Sequence, residues 1–265
     1  MTKGKMAIDS LKTTYRKKIF SNFIRGIRDF DLIKNGDKIA VGVSGGKDSL
    51  LLCKLFQILK QQKNLDFQVI FISMNPGFGK EDLAKFKKNL DELDISCEIF
   101  DANVWEIAFG ENQKNPCFLC AKMRRGVLYK KVEELGCNKL ALGHHFNDVV
   151  ETVMINMFYA STIKTMLPKV ESTSGNLEII RPMVYIKEKD IINYTQNNNI
   201  EPMSCGCPVE GQKVDSKRKE MKILLEKLEE TNPNIKLSIF NSVKNINLDY
   251  VMGFTRGNKK DKKVI

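Results

Sequence analysis

Residues 39–52 read IAVGVSGGKDSLLL, and the rest of the chain is organised around them. Ile39 to Val43 are small or β-branched and apolar, the pattern of a short buried strand. From Leu50 to Leu59 the sequence is an apolar helix. Between the two stand Ser44, Gly45, Gly46, Lys47, Asp48 and Ser49. Glycines let backbone N–H groups approach an anion, and a helix start adds partial positive charge. Ser44 and Ser49 add hydroxyl donors, Lys47 a counter-charge for phosphate, and Asp48 a carboxylate able to hold Mg²⁺. The turn is not a Walker A loop, because Val41 and Asp48 occupy the positions of its first glycine and its Ser/Thr.

On either side, short strands alternate with helices. QVIFIS (68–73) and SCEIF (96–100) read as strands around a helix at 80–94. Leu119, Met123, Val127 and Val132 mark another helix, and KLALG (139–143) is a strand feeding a helix over 147–159. IIRPM (179–183), a helix at about 187–198 and a cysteine-bearing loop follow. This alternation predicts a doubly wound, mainly parallel α/β sheet with right-handed crossovers. Ahead of it, Leu11, Tyr15, Ile19, Phe23, Ile27 and Phe30 make one apolar stripe on a basic helix over 8–33. Met221, Leu224, Leu225 and Leu228 mark a basic amphipathic helix over 216–229, and the tail GNKKDKKVI is expected to fray. The expected organisation is therefore a basic helical segment (1–34), the α/β domain (35–212) and a basic helical extension (213–265).

The chain has 265 residues, of which 42% are hydrophobic and 28% charged, enough for a full core and against wholesale disorder. No apolar run approaches the ~18 residues of a membrane helix. MTKGKMAIDSLKTTYRKK lacks the apolar centre of a signal peptide, so a cytoplasmic location without membrane contact is expected. The net charge of +11 suits a protein that meets polyphosphate, most often nucleic acid.

Seven cysteines in an intracellular chain are not expected to pair as disulfides. Cys53, Cys97 and Cys137 lie in apolar runs and read as small core residues. Cys117 and Cys120 open a helix, and Cys205 and Cys207 lie in a later Pro-flanked loop. Three readings remain open: a Cys₄ zinc site, an iron–sulfur cluster on three thiolates with one iron left open, or reduced thiols. Gly143 to Thr152 (GHHFNDVVET) follow the KLALG strand, where open α/β sheets bind ligands. Asp148 suits Mg²⁺ or a phosphate. Neighbouring side chains in an extended segment point apart, so His145 reads as structural.

Together SGGKDS, PCFLCAKMRRGVLY (116–129), ALGHHFNDVVETVMINMFY (141–159), IIRPM and the late cysteine loop resemble the tRNA 2-thiocytidine synthetase family. This belongs to the PP-loop, or N-type ATP pyrophosphatase, superfamily, and the likeness runs from about residue 15 to 212. The resemblance implies ATP-dependent thiolation: the C2 oxygen of a cytidine in the anticodon loop is adenylated, then replaced by sulfur from a 4Fe–4S cluster. It implies ATP and Mg²⁺ as cofactors, a cysteine desulfurase or sulfide as sulfur donor, and a homodimer. It makes Lys47, Asp48 and Asp148 catalytic, and gives ATP Ser44–Ser49, Met74, Arg124, Gly143 and Asp148. Cys117, Cys120 and Cys205 become cluster ligands, with Cys207 as the alternative third. Lys122, Arg125, Lys130 and Lys131 are then expected on tRNA phosphates. The chain departs from the family pattern at Ser204, which precedes Cys205, in its CxC spacing, at Asn147 where Asp is frequent, and at Ala160-Ser161 where paired glycines are usual. Related 2-thiouridine synthetases carry cysteine clusters near the chain ends, but none precedes Cys53 or follows Cys207 here. Lysidine synthetase has no use for the clustered cysteines. A zinc-stabilised, non-catalytic RNA-binding protein is the rival of another class.

Overall fold

The computed structural model describes residues 1–62, 65–109, 116–172, 175–203 and 216–254. Along the chain run α1 (Lys3–Lys12), a π-helical turn (Arg16–Phe20), α2 (Ser21–Asp29), β1 (Lys38–Gly42), α3 (Lys47–Gln61) and β2 (Gln68–Asn75). Then come α4 (Lys80–Glu92), β3 (Cys97–Asp101), α5 (Val104–Ala108), α6 (Pro116–Glu134), β4 (Lys139–Ala141) and α7 (Phe146–Ala160). β5 (Lys169–Glu171), β6 (Glu178–Ile180), α8 (Glu188–Asn197), α9 (Ser216–Thr231) and α10 (Ile235–Ser242) complete the order. Contacts cluster into two units, Met1–Val149 with Met166–Ser216 and Val150–Thr165 with Lys217–Ile265.

Among the described residues, the first unit holds one six-stranded sheet of order β3-β2-β1-β4-β6-β5. Five strands are parallel, and only β5 pairs antiparallel, on the edge. This is the mainly parallel α/β sheet expected. β5 lies outside the elements that the sequence pattern predicts, since its Lys169-Val170-Glu171 is no apolar run and stays on the exposed edge. The strand order reverses between β1 and β4, and such a switch point leaves a crevice at the carboxyl ends of the strands.

The N-terminal stripe does what its spacing requires, by a route that differs from a single helix. Leu11, Tyr15, Ile19, Phe23 and Ile27 are all buried in the main core. A strict period of four drifts by about 40° per step on an α-helix of 3.6 residues per turn, so a straight helix would rotate the stripe away. The chain breaks after Lys12, where the Thr13 hydroxyl donates to Asp9 O at 2.7 Å, and Tyr15 N donates to Ser10 O at 2.9 Å. The wider π-turn that follows restores the face. Tyr194 of α8 closes over this segment, its ring edge-on to Tyr15 at 5.5 Å and its hydroxyl donating to Ala7 O at 3.3 Å. The N-terminal segment thereby fixes α8, whose first turn reaches the phosphate turn.

Cys53 and Cys137 are buried, while Cys97 is only partly so. Burial pushes the Cys97 thiol up to about 12, so it is protonated and inert at neutral pH. In the second unit Met221 and Leu225 of α9 are buried, and the Tyr159 hydroxyl donates to Glu220 at 2.5 Å. Among the described residues no helix is long and apolar enough to cross a membrane. Cys205, Cys207 and the tail GNKKDKKVI lie outside the described residues.

Candidate active site at the strand switch point

β1 delivers the chain into Ser44-Gly45-Gly46, and α3 starts at Lys47. Gly45 has φ of +83°, a conformation open to glycine at little cost, and an added Cβ would stand 3.1 Å from the Phe86 ring. Ser49 ties the turn together: its Oγ accepts from Ser44 N at 3.2 Å and donates to Gly46 O at 2.9 Å. The first-turn N–H groups of a helix have no intrahelical carbonyl to bond, so the start of α3 presents donors to an anion.

β4 brings the second loop. An added Cβ on Gly143 would meet the Asp48 carbonyl carbon at 3.0 Å and Ser49 N at 3.2 Å, so only glycine lets this loop press against the start of α3. His145 follows, 5% exposed. Its backbone N–H donates to Asp148 Oδ2 at 2.9 Å, and its ring lies between two carboxylates, Nδ1 at 3.4 Å from Asp148 and Nε2 at 3.7 Å from Asp48. The residue read as structural is thus the bridge between two expected site carboxylates. Only the pairing of β1 with β4 reveals this.

A cavity of about 350 Å³ opens between the two loops. Of the residues expected to hold ATP, Ser44, Asp48, Ser49, Met74, Arg124, Gly143 and Asp148 line it. Arg125, expected on tRNA, lines it too, as do His144, the other member of the histidine pair, and Phe78 and Tyr129, which the sequence pattern does not single out. Lys47 is held between carboxylates, 3.2 Å from both Asp48 and Glu188. Burial alone would lower Lys47, but these two carboxylates raise it above the ordinary lysine value, so it stays cationic. Burial pushes the Asp48 carboxyl up, the His145 and Lys47 charges oppose this, and Asp148 reinforces it.

These donors can be tested against the two implied groups. Asp48 Oδ1 is buried with no hydrogen-bond partner among the described residues, and a hard divalent cation would relieve both that oxygen and the Asp48–Asp148 repulsion. Among the described residues no group of three or more His, Cys, Asp or Glu could enclose a metal. Mg²⁺ would therefore sit on one or two carboxylates with substrate phosphates completing its shell, which is its usual habit. For the cluster, Cys117 and Cys120 lie one turn apart at the start of α6. Cys120 is buried against Val104, Trp105 and Ala108, with Met74 and Phe78 packed on the same group. Met74 and Phe78 also line the cavity, so the apolar cluster that holds Cys120 borders it. Two cysteines one turn apart on a helix, with Cys120 buried among apolar side chains, fit two ligand positions of a cluster.

The four basic residues expected on tRNA are not equivalent. Lys122, Arg125 and Lys130 are exposed on α6, whereas Lys131 is bound to Glu98 at 2.8 Å and lies over the Phe100 ring.

Comparison with known proteins points to one family. Residues 13–203 match the PP-loop domain family. The chain is 36% identical over 241 residues to the tRNA-cytidine(32) 2-sulfurtransferase of Geobacter sulfurreducens, covering 89% of this chain and 92% of that one. It is 37% identical over 237 residues to the enzyme of the same name from Geobacter metallireducens, covering 87% and 90%. Among solved structures it is similar to the U34-tRNA thiolase NcsA of Methanococcus maripaludis with its [4Fe-4S] cluster. The TM-score is 0.65 at 25% identity, over 89% of this chain and 80% of that one. The family match over residues 13–203 and this shared length with the relatives place the chain in one group: it belongs to the PP-loop family of tRNA-cytidine(32) 2-sulfurtransferases.

Proposed function

We propose that this protein is an ATP-dependent tRNA sulfurtransferase that converts a cytidine of the anticodon loop to 2-thiocytidine. The observation that carries the reading is the cavity between the phosphate turn and the Gly143 loop, with Cys120 in the apolar cluster against which two of its lining residues pack. The Ser44–Ser49 turn and the start of α3 bind the ATP phosphates, with Lys47 on the non-bridging oxygens. Arg124, on the cavity wall, offsets charge as the C2 oxygen of cytidine attacks the α-phosphate and pyrophosphate leaves. Asp48 and Asp148, kept in register by His145, would hold Mg²⁺, which neutralises phosphate charge when bound. Adenylation turns the C2 oxygen into a good leaving group; sulfide then adds to C2, and the C2–O bond breaks as AMP departs. Cys117, Cys120 and Cys205 (or Cys207) would hold the cluster, which supplies an iron free to carry sulfide. Lys122, Arg125 and Lys130 reach tRNA phosphates, with Lys131 behind them. The same reading takes a cysteine desulfurase or free sulfide as sulfur source, and a cytoplasmic homodimer as the working form.

The test is nucleoside analysis of tRNA from a deletion strain complemented with wild type, Lys47→Ala or Asp48→Ala. Wild type should restore 2-thiocytidine. Each variant should lower AMP formation by about 10²–10³-fold, the usual cost of one lost transition-state contact. Loss of a thiouridine instead would move the target base. No missing thionucleoside would overturn the reading.

A further inference from the structure

Among the described residues, Glu188 is an acidic residue at the phosphate turn that this mechanism does not use. It opens α8, and its backbone N–H donates to Asn147 Oδ1 at 3.1 Å, which fixes it beside the GHHFND loop. Asn147, a departure from the family pattern, thus has a structural task that needs only a side-chain oxygen. The Glu188 carboxylate is 16% exposed and 3.2 Å from Lys47 Nζ. Together with Asp48 and Asp148 it puts three carboxylates around a turn built to receive a polyphosphate.

A carboxylate so placed repels an uncompensated triphosphate and competes with it for Lys47. A divalent cation on the phosphates cancels most of that repulsion. We infer that Glu188 is a specificity-determining residue, the resting counter-ion of Lys47, which makes the turn accept metal-bound ATP and reject metal-free ATP. The inference rests on the ATP site proposed above and adds to it the form in which ATP is admitted. Because α8 is anchored by Tyr194 on Ala7 and Tyr15, Glu188 is held on Lys47 by the fold rather than by the loop alone.

The experiment is equilibrium binding of ATP to the full chain, once with EDTA and once with excess Mg²⁺, for wild type, Glu188→Gln and Glu188→Asp. Glu188→Gln keeps the shape and the Asn147 contact but removes the charge. It should bind metal-free ATP about tenfold tighter, equivalent to about 1.4 kcal/mol, and change Mg²⁺–ATP affinity less than threefold. Glu188→Asp should keep the wild-type ratio. A merely structural Glu188 would weaken both forms together in Glu188→Gln; that result, or an unchanged ratio in a folded variant, overturns the inference. If wild type binds ATP in neither condition, the ATP-site reading itself fails, and the inference with it.

Discussion

Replacing Lys139 by Met should destabilise the protein by about 3 kcal/mol and leave nucleotide binding intact. Lys139 is the first residue of β4 and is 5% exposed, at the end of the sheet opposite the cavity. Its Nζ lies 3.1 Å from Asp37 Oδ2, 2.9 Å from Glu178 Oε2 and 2.8 Å from Leu32 O. It thereby clamps the starts of β1, β4 and β6. Removing one member of a buried ion pair costs about 3–5 kcal/mol, because the other charge stays buried and uncompensated. The low end applies here. Lys169 Nζ also stands 3.7 Å from Glu178, and Asp37 keeps hydrogen bonds from Lys34 N at 2.6 Å and Asn138 Nδ2 at 2.8 Å. At roughly 2–4 °C per kcal/mol for a domain of this size, the midpoint should fall by about 6–12 °C. The loss should also depend on pH. Burial tends to raise the Asp37 carboxyl, but the Lys34 N–H, Asn138 and Lys139 outweigh it and hold it below the ordinary carboxylate value. Its stabilising share is therefore present above the unfolded value near ~3.9 and lost as pH falls through the lower, folded one. Without Lys139 the buried carboxyl can take a proton, so the gap between variant and wild type should narrow from pH 7 to about pH 4. Urea unfolding followed by circular dichroism at both pH values measures this, and adding Asp37→Asn to Lys139→Met should recover part of the loss. A cost below about 1 kcal/mol at pH 7, or an equal cost at both pH values, would show that the clamp does not act as a buried ion cluster.

Gly143→Ala puts a Cβ 3.0 Å from the Asp48 carbonyl carbon, where backbone must give way; ATP affinity should drop about tenfold with a stability loss of about 1–3 kcal/mol, and wild-type affinity in an equilibrium binding assay would refute the close-approach argument. Reversing Lys122 and Lys130 to Glu should reduce the magnitude of the salt slope of tRNA binding by about two, read from filter binding between ~50 and ~200 mM KCl. An unchanged slope removes α6 from the RNA surface.

What the sequence determined by itself is what periodicity and turn chemistry can carry. The run from Ile39 to Leu52 is a buried strand, a polar turn and an apolar helix in any context, because the side-chain pattern changes period across glycines that only a turn needs. The alternation after it leaves a mainly parallel sheet as the way to bury both faces of such strands. The period-four stripe of the N-terminal segment marked its buried face, but the π-turn at Arg16–Phe20 that keeps the stripe on that face appears only in the structure. Tertiary structure decided which distant groups meet. The adjacency of β1 and β4 sets His145 between Asp48 and Asp148, and the docking of α8 on the N-terminal segment carries Glu188 to Lys47. The engagement of Lys131 with Glu98 follows likewise from α6 crossing beside β3. A one-dimensional pattern reports which face of an element is apolar, but not which polar group of another element it will find there. That depends on strand order and helix docking, which are set by the burial of the whole core.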